Sequence, residues 1–134
     1  MQWRDMMNKM AAACIALSIT AGAATVSAAA PGASAAPARP ATFAACAMCH
    51  KTENGAPNGL GPNLFGIGGK KAGVVPGFNF SPAMKQSKGV WDKQKLTAFI
   101  IAPRSVVPGT TMSYAGMKDP AAAARIADYI LALK

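Results

Sequence analysis

Two cysteines and a histidine lie within five residues of one another, in the segment Cys46-Ala47-Met48-Cys49-His50. Cysteines three positions apart share one side of a helical turn, so both thiols can form thioethers to the two vinyl groups of one porphyrin. The adjacent imidazole can then ligate the porphyrin iron. The Cys-x-x-Cys-His pattern is the attachment signature of a c-type haem, and it predicts one covalently attached haem c in this chain.

A Cys-x-x-Cys pair also occurs in zinc sites and in thioredoxin-like redox motifs. Zinc would need further thiol or imidazole ligands, but Cys14 is the only other cysteine and His50 is the only histidine. Cys14 also falls in a segment that we expect to be removed. A redox dithiol therefore stays open as the alternative to haem.

The first thirty residues have the organisation of an export signal. Arg4 and Lys9 form a basic start, an apolar alanine-rich run follows, and Val26-Ser27-Ala28 offers the small residues that a signal peptidase accepts. We expect a signal peptide over 1–30, cleaved near 28–30, and a periplasmic protein. If uncleaved, the segment would be a membrane anchor. Residues 31–40 predict a flexible lead-in, and the domain is expected over 41–134.

The chain carries a formal net charge of +9, of which the first thirty residues contribute little. Such a balance favours acidic partners. Basic proteins also bind nucleic acid, but an exported chain without an arginine-rich or aromatic-interleaved groove does not fit that function. We expect redox-protein donors and acceptors with acidic docking surfaces, no nucleic acid, and a monomer. Membrane contact is expected only through partner complexes, unless the leader is retained.

Haem iron needs a sixth ligand or an open site, and this choice separates electron carriers from gas binders and oxidases. No second histidine exists, so the candidate ligands beyond the leader are Met48, Met84, Met112 and Met117. Met48 lies inside the attachment segment, and Met84 and Met117 are expected to pack in the core. Met112 lies in an extended loop punctuated by proline and glycine, which can wrap the far side of the haem.

The remaining sequence predicts helices and loops. A short helix is expected from about 41, and a helix from about 92 to 102 stops at Pro103. The last helix starts with Asp119 as N-cap and proline at its first position. Its apolar face follows helical spacing and consists of Ile126, Tyr129, Ile130 and Leu133. The glycine, proline and asparagine content between 50 and 88 predicts loops rather than strands.

Several motifs in order resemble the class I cytochrome c family, particularly its mitochondrial cytochrome c and bacterial cytochrome c2 branch. They are Cys46-x-x-Cys49-His50, Gly61-Pro62-Asn63-Leu64, Pro76-Gly77-Phe78, Trp91, and Pro108-Gly109-Thr110-x-Met112-x-Tyr114-x-Gly116. The resemblance implies the small all-α cytochrome c fold, with three to five short helices and long loops around one haem. It also implies an electron carrier rather than an enzyme.

The resemblance implies a role for the residues of each motif. Cys46 and Cys49 would carry the thioethers, His50 would be the proximal iron ligand and Met112 the distal one.

Three further residues would line the haem. The carbonyl of Pro62 would accept the second ring N–H of the histidine, Leu64 would pack on the haem, and Trp91 would donate its indole N–H to a propionate.

The sequence departs from the family at a few places. Phe80 and Phe99 stand where the mitochondrial branch has tyrosines, and Lys70 replaces an arginine whose planar fork lysine does not reproduce. We expect these changes to alter the redox potential. Phe43 precedes Cys46 by three residues, whereas the family aromatic lies four before the first cysteine.

The resulting interpretation is a soluble periplasmic monohaem c-type cytochrome with His/Met-ligated iron. It would carry one electron at a time between respiratory or periplasmic oxidoreductases. Two alternatives stay open. One is a haem peroxidase or gas-binding module in which the methionine ligand is labile, and the other is an obligate cytochrome subunit of a larger dehydrogenase or oxidase.

Overall fold

The computed structural model describes residues 37–134. The expected leader over 1–30, with Cys14, and the first part of the expected lead-in lie outside the described residues. Within 37–134 the chain has no strand and forms five α-helices, the first preceded by a 3-10 turn at Ala41–Phe43. The helices are α1 (Ala44–Ala47), α2 (Pro82–Gln86), α3 (Lys93–Ile101), α4 (Pro103–Val106) and α5 (Pro120–Ala132). The predicted all-α fold is confirmed.

Helices α3 and α5 begin at side-chain caps. The Asp92 carboxylate accepts a hydrogen bond from the Lys95 amide at 2.7 Å, and Asp119 accepts from the amides of Ala121 and Ala122 at 2.9 and 3.2 Å. Both caps satisfy amides that have no partner inside the helix. None of the helices within 37–134 is long and apolar enough to cross a membrane.

The core lies where α3 and α5 pack together. The two helices contribute the buried side chains Leu96, Phe99, Ile100, Ala123, Ile126, Ala127, Tyr129 and Ile130. The predicted apolar faces are therefore confirmed, with one change at the end of the chain. Helix α5 stops at Ala132, and Leu133 is extended and half-buried against the core.

The 3-10 turn that precedes α1 docks on α5 through an aromatic pair. Phe43 is fully buried, and its ring meets that of Tyr129 edge-on, with centroids 5.0 Å apart. Phe43 ends the 3-10 turn, which winds more tightly than an α-helix and so directs this side chain differently from one in a regular helix. The unusual spacing of Phe43 and Cys46 is thus compatible with docking of this turn on α5.

One local prediction was wrong. Helix α2 lies within the stretch predicted as loops, because Ser81 caps it by accepting from the Met84 amide at 3.2 Å and proline occupies its first position. The helix predicted to stop at Pro103 does end before that residue, at Ile101. Pro103 then starts the further helix α4, since proline is tolerated in the first turn of a helix.

Candidate functional site

A largely apolar cavity opens between the loops that follow α1, helices α3 and α5, and the loop between α4 and α5. The residues expected to bind haem lie along it: Cys46, His50, Pro62, Leu64, Trp91 and Met112. Side chains separated by more than sixty positions in the sequence therefore face one space. The exception among the predicted site residues is Cys49, which lies outside the lining.

His50 is held in one orientation by its neighbour across the loop. Its Nδ1 lies 2.7 Å from the carbonyl oxygen of Pro62, and because a carbonyl only accepts, Nδ1 carries the proton and donates. Nε2 is left with its lone pair. Burial lowers the pKa of His50 below its ordinary value, although the bond to Pro62 acts in the other direction. Burial favours the neutral imidazole, and the hydrogen bond to Pro62 keeps the proton on Nδ1, so that Nε2 is ready to bind a metal.

Gly61 lets the histidine ring lie flat against the backbone. A Cβ at this buried position would lie 2.7 Å from Nδ1 and 2.8 Å from Nε2 of His50, which is far inside van der Waals contact. The loop is also tied to the attachment segment, since the Gly61 amide donates to Cys49 O at 2.9 Å and the Leu64 amide to Lys51 O at 2.8 Å. The Gly61-Pro62 step therefore both admits and orients the ring.

The two cysteines lie at the end of α1 and just beyond it, as half-buried free thiols. The His50 amide donates to Cys46 O at 2.9 Å, which continues the turn and places the imidazole next to the thiols. Burial raises the pKa of the Cys46 thiol, and Cys49 adds to the rise while a backbone hydrogen bond opposes it. The Cys46 thiol is therefore unlike the attacking thiol of an activated redox dithiol, in which a lowered pKa exposes the thiolate.

Met112 is half-buried on the loop that follows α4. This loop begins with a turn in which the Thr110 amide donates to Val107 O at 3.0 Å, and it ends where the Met117 amide donates to Ile100 O at 3.0 Å. Gly116 adopts φ +106° there, and a side chain would collide with the carbonyl of Ile101. Both ends of the loop are thus fixed to the α3–α4 region, which holds Met112 at the cavity.

The other methionines differ in their surroundings. Met48 is 82 % exposed, and Met117 is half-buried against the core. Met84 is buried, as predicted for a packing residue, but it also lines the cavity from α2. Its sequence context gave no sign of this, because α2 itself was not predicted.

Two aromatic pairs line part of the cavity. Trp91 is buried and tilts against Phe99 with ring centroids 5.2 Å apart, while Phe80 pairs edge-on with Phe78 at 4.8 Å. All four rings line the cavity. Lys70 lines it as well, with an exposed ammonium-bearing side chain. Further apolar lining that the motifs did not identify comes from Ile67, Val75, Leu96, Ile100, Ile126 and Ile130.

This donor set fits a covalently attached haem and does not fit a structural zinc ion. Two free thiols, a neutral imidazole and a thioether sulfur lie beside an apolar cavity, which is the chemistry that a c-type haem requires. Within residues 37–134 no three His, Cys, Asp or Glu side chains gather as a metal-binding group. Cys46, Cys49, His50 and Met112 are the residues that would hold the haem.

Comparisons with known proteins agree with this chemistry. No protein-family model matches the chain. It is 41 % identical over 95 residues to cytochrome c2 iso-2 of Magnetospirillum molischianum, an alignment covering 71 % of this chain and 97 % of that protein. It is 45 % identical over 78 residues to a cytochrome c2 of Rhodoplanes tepidamans, covering 58 % of this chain and 73 % of the relative.

A solved structure shares the fold. Cytochrome cH from Methylobacterium extorquens superposes with a TM-score of 0.61 and 40 % sequence identity, covering 66 % of this chain and 88 % of that one.

Proposed function

The chain belongs to the class I cytochrome c family and is a monohaem electron-transfer protein with one covalently attached haem c, and we propose that it works in the periplasm with its iron held between His50 and Met112. The observation that carries this ligation is the position of the two side chains. The His50 ring is pinned by Pro62 and Gly61 with Nε2 unprotonated, and Met112 lines the same cavity from a loop anchored at both ends.

When bound, the haem supplies an iron that cycles between its ferrous and ferric states and so holds or releases one electron. The chain's own residues determine how easily this happens. The hydrogen bond from His50 Nδ1 to Pro62 fixes the ring and strengthens Nε2 as a donor, while a methionine sulfur favours the ferrous state relative to harder ligands. The apolar lining from α3 and α5 excludes water, and two protein ligands would leave no open position for oxygen chemistry.

Rigid anchoring of both ligand segments supports a carrier over a haem enzyme. A fast electron carrier needs nearly the same geometry in both redox states. His50 is held by a 2.7 Å hydrogen bond, and the Met112 loop is closed by the bonds at Thr110 and Met117. A peroxidase or gas-binding module would instead need Met112 to leave the iron readily.

The proposed location and partners rest on the sequence. The segment 1–30 has the basic start, apolar run and small residues of an export signal, and covalent haem suits a protein that leaves the cytoplasm. The basic net charge favours donors and acceptors with acidic surfaces. We place residues 41–134 as the functional domain, with 31–40 as a flexible lead-in.

Visible spectroscopy of the holoprotein tests the ligation. The wild type should show a low-spin reduced spectrum and, when oxidised, the weak far-red band that reports a bond between methionine sulfur and ferric iron. Met112→Ala should lose that band and bind carbon monoxide, whereas the matched control Met117→Leu should keep it. A wild type that is high-spin and binds carbon monoxide readily would contradict the carrier function and favour gas binding or peroxidase chemistry.

A further inference from the structure

The loop that follows His50 contains the dipeptide Asn-Gly twice, as Asn54-Gly55 and Asn58-Gly59. Asparagine is one of the chemically labile residues. In this dipeptide the glycine nitrogen can attack the side-chain carbonyl carbon of asparagine, because glycine has no side chain to obstruct the approach. Deamidation by this route needs only water, so both dipeptides are candidate sites of spontaneous modification.

The first dipeptide forms the exposed tip of a turn. The turn is closed by the Ala56 amide, which donates to Glu53 O at 3.2 Å, and Asn54 and Gly55 are both exposed. Gly55 adopts φ +75°, and a Cβ there would meet nothing within 4 Å. Within residues 37–134 neither the Asn54 side chain nor the Gly55 amide takes part in a hydrogen bond. The attacking nitrogen and the carbonyl carbon are therefore both unrestrained by contacts.

The side chain of Asn58 is held by both of its polar atoms. Its Nδ2 donates to Pro76 O at 3.0 Å, and its Oδ1 accepts from the Asn63 amide at 2.9 Å. The contact with Pro76 connects the loop that follows His50 to the loop that precedes α2. The side-chain carbonyl of Asn58 therefore cannot turn towards Gly59 unless these hydrogen bonds break.

The attacking nitrogen of the second dipeptide is engaged as well. The Gly59 amide donates to Gly61 O at 3.0 Å, and the Gly61 amide donates to Cys49 O at 2.9 Å. A Cβ at Gly59 would lie 2.7 Å from Cys49 O, so the backbone here lies tight against the attachment segment. Hydrogen bonds to both reacting groups must open before Gly59 attacks Asn58, whereas none must open at Asn54.

We propose that Asn54 is the site at which the native protein deamidates spontaneously, and that the hydrogen bonds of Asn58 and Gly59 protect the second dipeptide. The Gly55 nitrogen forms a bond to Asn54 Cγ, and the bond between Cγ and Nδ2 breaks. The proton of the Gly55 amide passes through water to Nδ2, which leaves as ammonia.

Water then opens the five-membered succinimide ring that this attack forms. Opening at the side-chain carbonyl leaves an aspartyl residue, and opening at the main-chain carbonyl leaves an isoaspartyl residue. Each event consumes one water molecule, releases one ammonia and creates one carboxylate. No oxidant, reductant or enzyme is required.

The protected side chain belongs to the surroundings of the histidine. The Asn63 amide that donates to Asn58 shares one planar peptide group with the Pro62 carbonyl, which accepts from His50 Nδ1. A carboxylate at position 58 would still accept from Asn63, but it would not donate to Pro76 O. Two oxygens at the present 3.0 Å separation would repel each other. Deamidation at position 58 would therefore disturb the peptide that orients His50.

One proteolytic peptide reports on both sites. Cleavage of the holoprotein after Lys51 and Lys70 releases a peptide that contains both dipeptides and no cysteine. Each deamidation adds nearly one dalton, and fragment ions assign it to position 54 or 58 by mass spectrometry. Holoprotein is kept for several weeks at mildly alkaline pH, in native buffer or in denaturing guanidinium, and then digested briefly.

In native buffer position 54 should deamidate at least about tenfold faster than position 58. In guanidinium the protecting hydrogen bonds are lost, and the two rates should differ by less than about threefold. Equal native rates, or a faster reaction at position 58, would overturn the proposal. So would an unchanged preference for position 54 in guanidinium, because the sequence rather than the fold would then explain it. These rates do not depend on which side chain ligates the iron, so they are separate from the test of the proposed function.

Two charge-matched variants test the role given to Asn58. Asn54→Asp and Asn58→Asp place the same new carboxylate in the same loop. Asn58→Asp should lower the Tm of the oxidised holoprotein by about 4 °C or more, and Asn54→Asp by less than about 2 °C. Asn58→Asp should also shift the midpoint potential further, because it alone disturbs the peptide that holds His50. Equal Tm values and equal potentials in the two variants would show that Asn58 does not position the histidine, and would overturn this part of the proposal.

Discussion

Adding one methyl group at Gly61 should disturb the histidine that we propose as the iron ligand. In Gly61→Ala the new Cβ would lie 2.7 Å from Nδ1 and 2.8 Å from Nε2 of His50. Carbon and nitrogen atoms need roughly 3.5 Å, so the ring or the loop must move by at least about 0.8 Å. The 2.7 Å bond to Pro62 O and the main-chain bonds of the loop oppose that movement.

The expected cost has two parts. Overpacking a buried position costs about 1–3 kcal/mol, and loss of the His50–Pro62 hydrogen bond costs about 0.5–1.5 kcal/mol. The sum is about 2–4 kcal/mol, which lowers Tm by at least 8 °C or so for a domain of this size. Gly68→Ala is a suitable control, since the nearest contact of a Cβ there is the flexible Leu131 side chain at 3.2 Å.

The assay is thermal unfolding of the oxidised holoprotein, with the far-red band recorded for each variant. Gly61→Ala should unfold at a clearly lower temperature than Gly68→Ala and show a weakened or shifted band, because the imidazole no longer has its native orientation. If both variants have the same Tm and the same spectrum, the close approach of Gly61 to His50 does not control the site, and this reasoning is refuted.

Three further substitutions test the positioning elements. Asp119→Ala should lower the free energy of unfolding by about 1 kcal/mol, measured by chemical unfolding, because it removes the cap of α5. Asp119→Asn keeps an acceptor oxygen and should lower it less. Equal losses in the two variants would contradict a capping role. Phe43→Ala should cost about 3–5 kcal/mol by emptying its fully buried place against Tyr129, and Phe43→Leu should recover part of this. Lys95→Met should increase amide hydrogen exchange at Trp91, because the Lys95 ammonium lies over the Trp91 ring and donates to Ser87 Oγ. Lys95→Arg should restore protection, and unchanged exchange in Lys95→Met would show that these contacts do not hold Trp91 in place.

Much of the fold follows from local signals that the sequence carries strongly. The Asp119-Pro120 cap and the apolar spacing that follows predict α5, and Leu96, Phe99 and Ile100 predict the buried face of α3, both as found. Such signals act within a few residues, so a pattern of caps and periodicity is enough to identify them. Helix α2 has the same kind of start, a serine cap before proline, but its five residues are too few for periodicity to register.

The site was predictable where one motif carries the chemistry and less so where the fold assembles it. Cys46, Cys49 and His50 are adjacent in sequence, and Met112 stands in a recognisable loop. Two features depend on contacts between separate segments: Met84 lines the cavity from α2, and the Lys95 ammonium lies over the Trp91 ring. Sequence spacing contains no information on those contacts, so only the structure reveals them.

The most direct test of the central claim is a nuclear magnetic resonance spectrum of the reduced holoprotein with ¹³C-labelled methionine methyl groups. A methyl group on a sulfur bound to iron lies over the porphyrin ring, whose current shifts its signal far upfield. We expect one such signal in the wild type, absent from Met112→Leu and retained in Met84→Leu. A spectrum with no upfield methyl signal, or one that survives Met112→Leu, would contradict ligation of the iron by Met112.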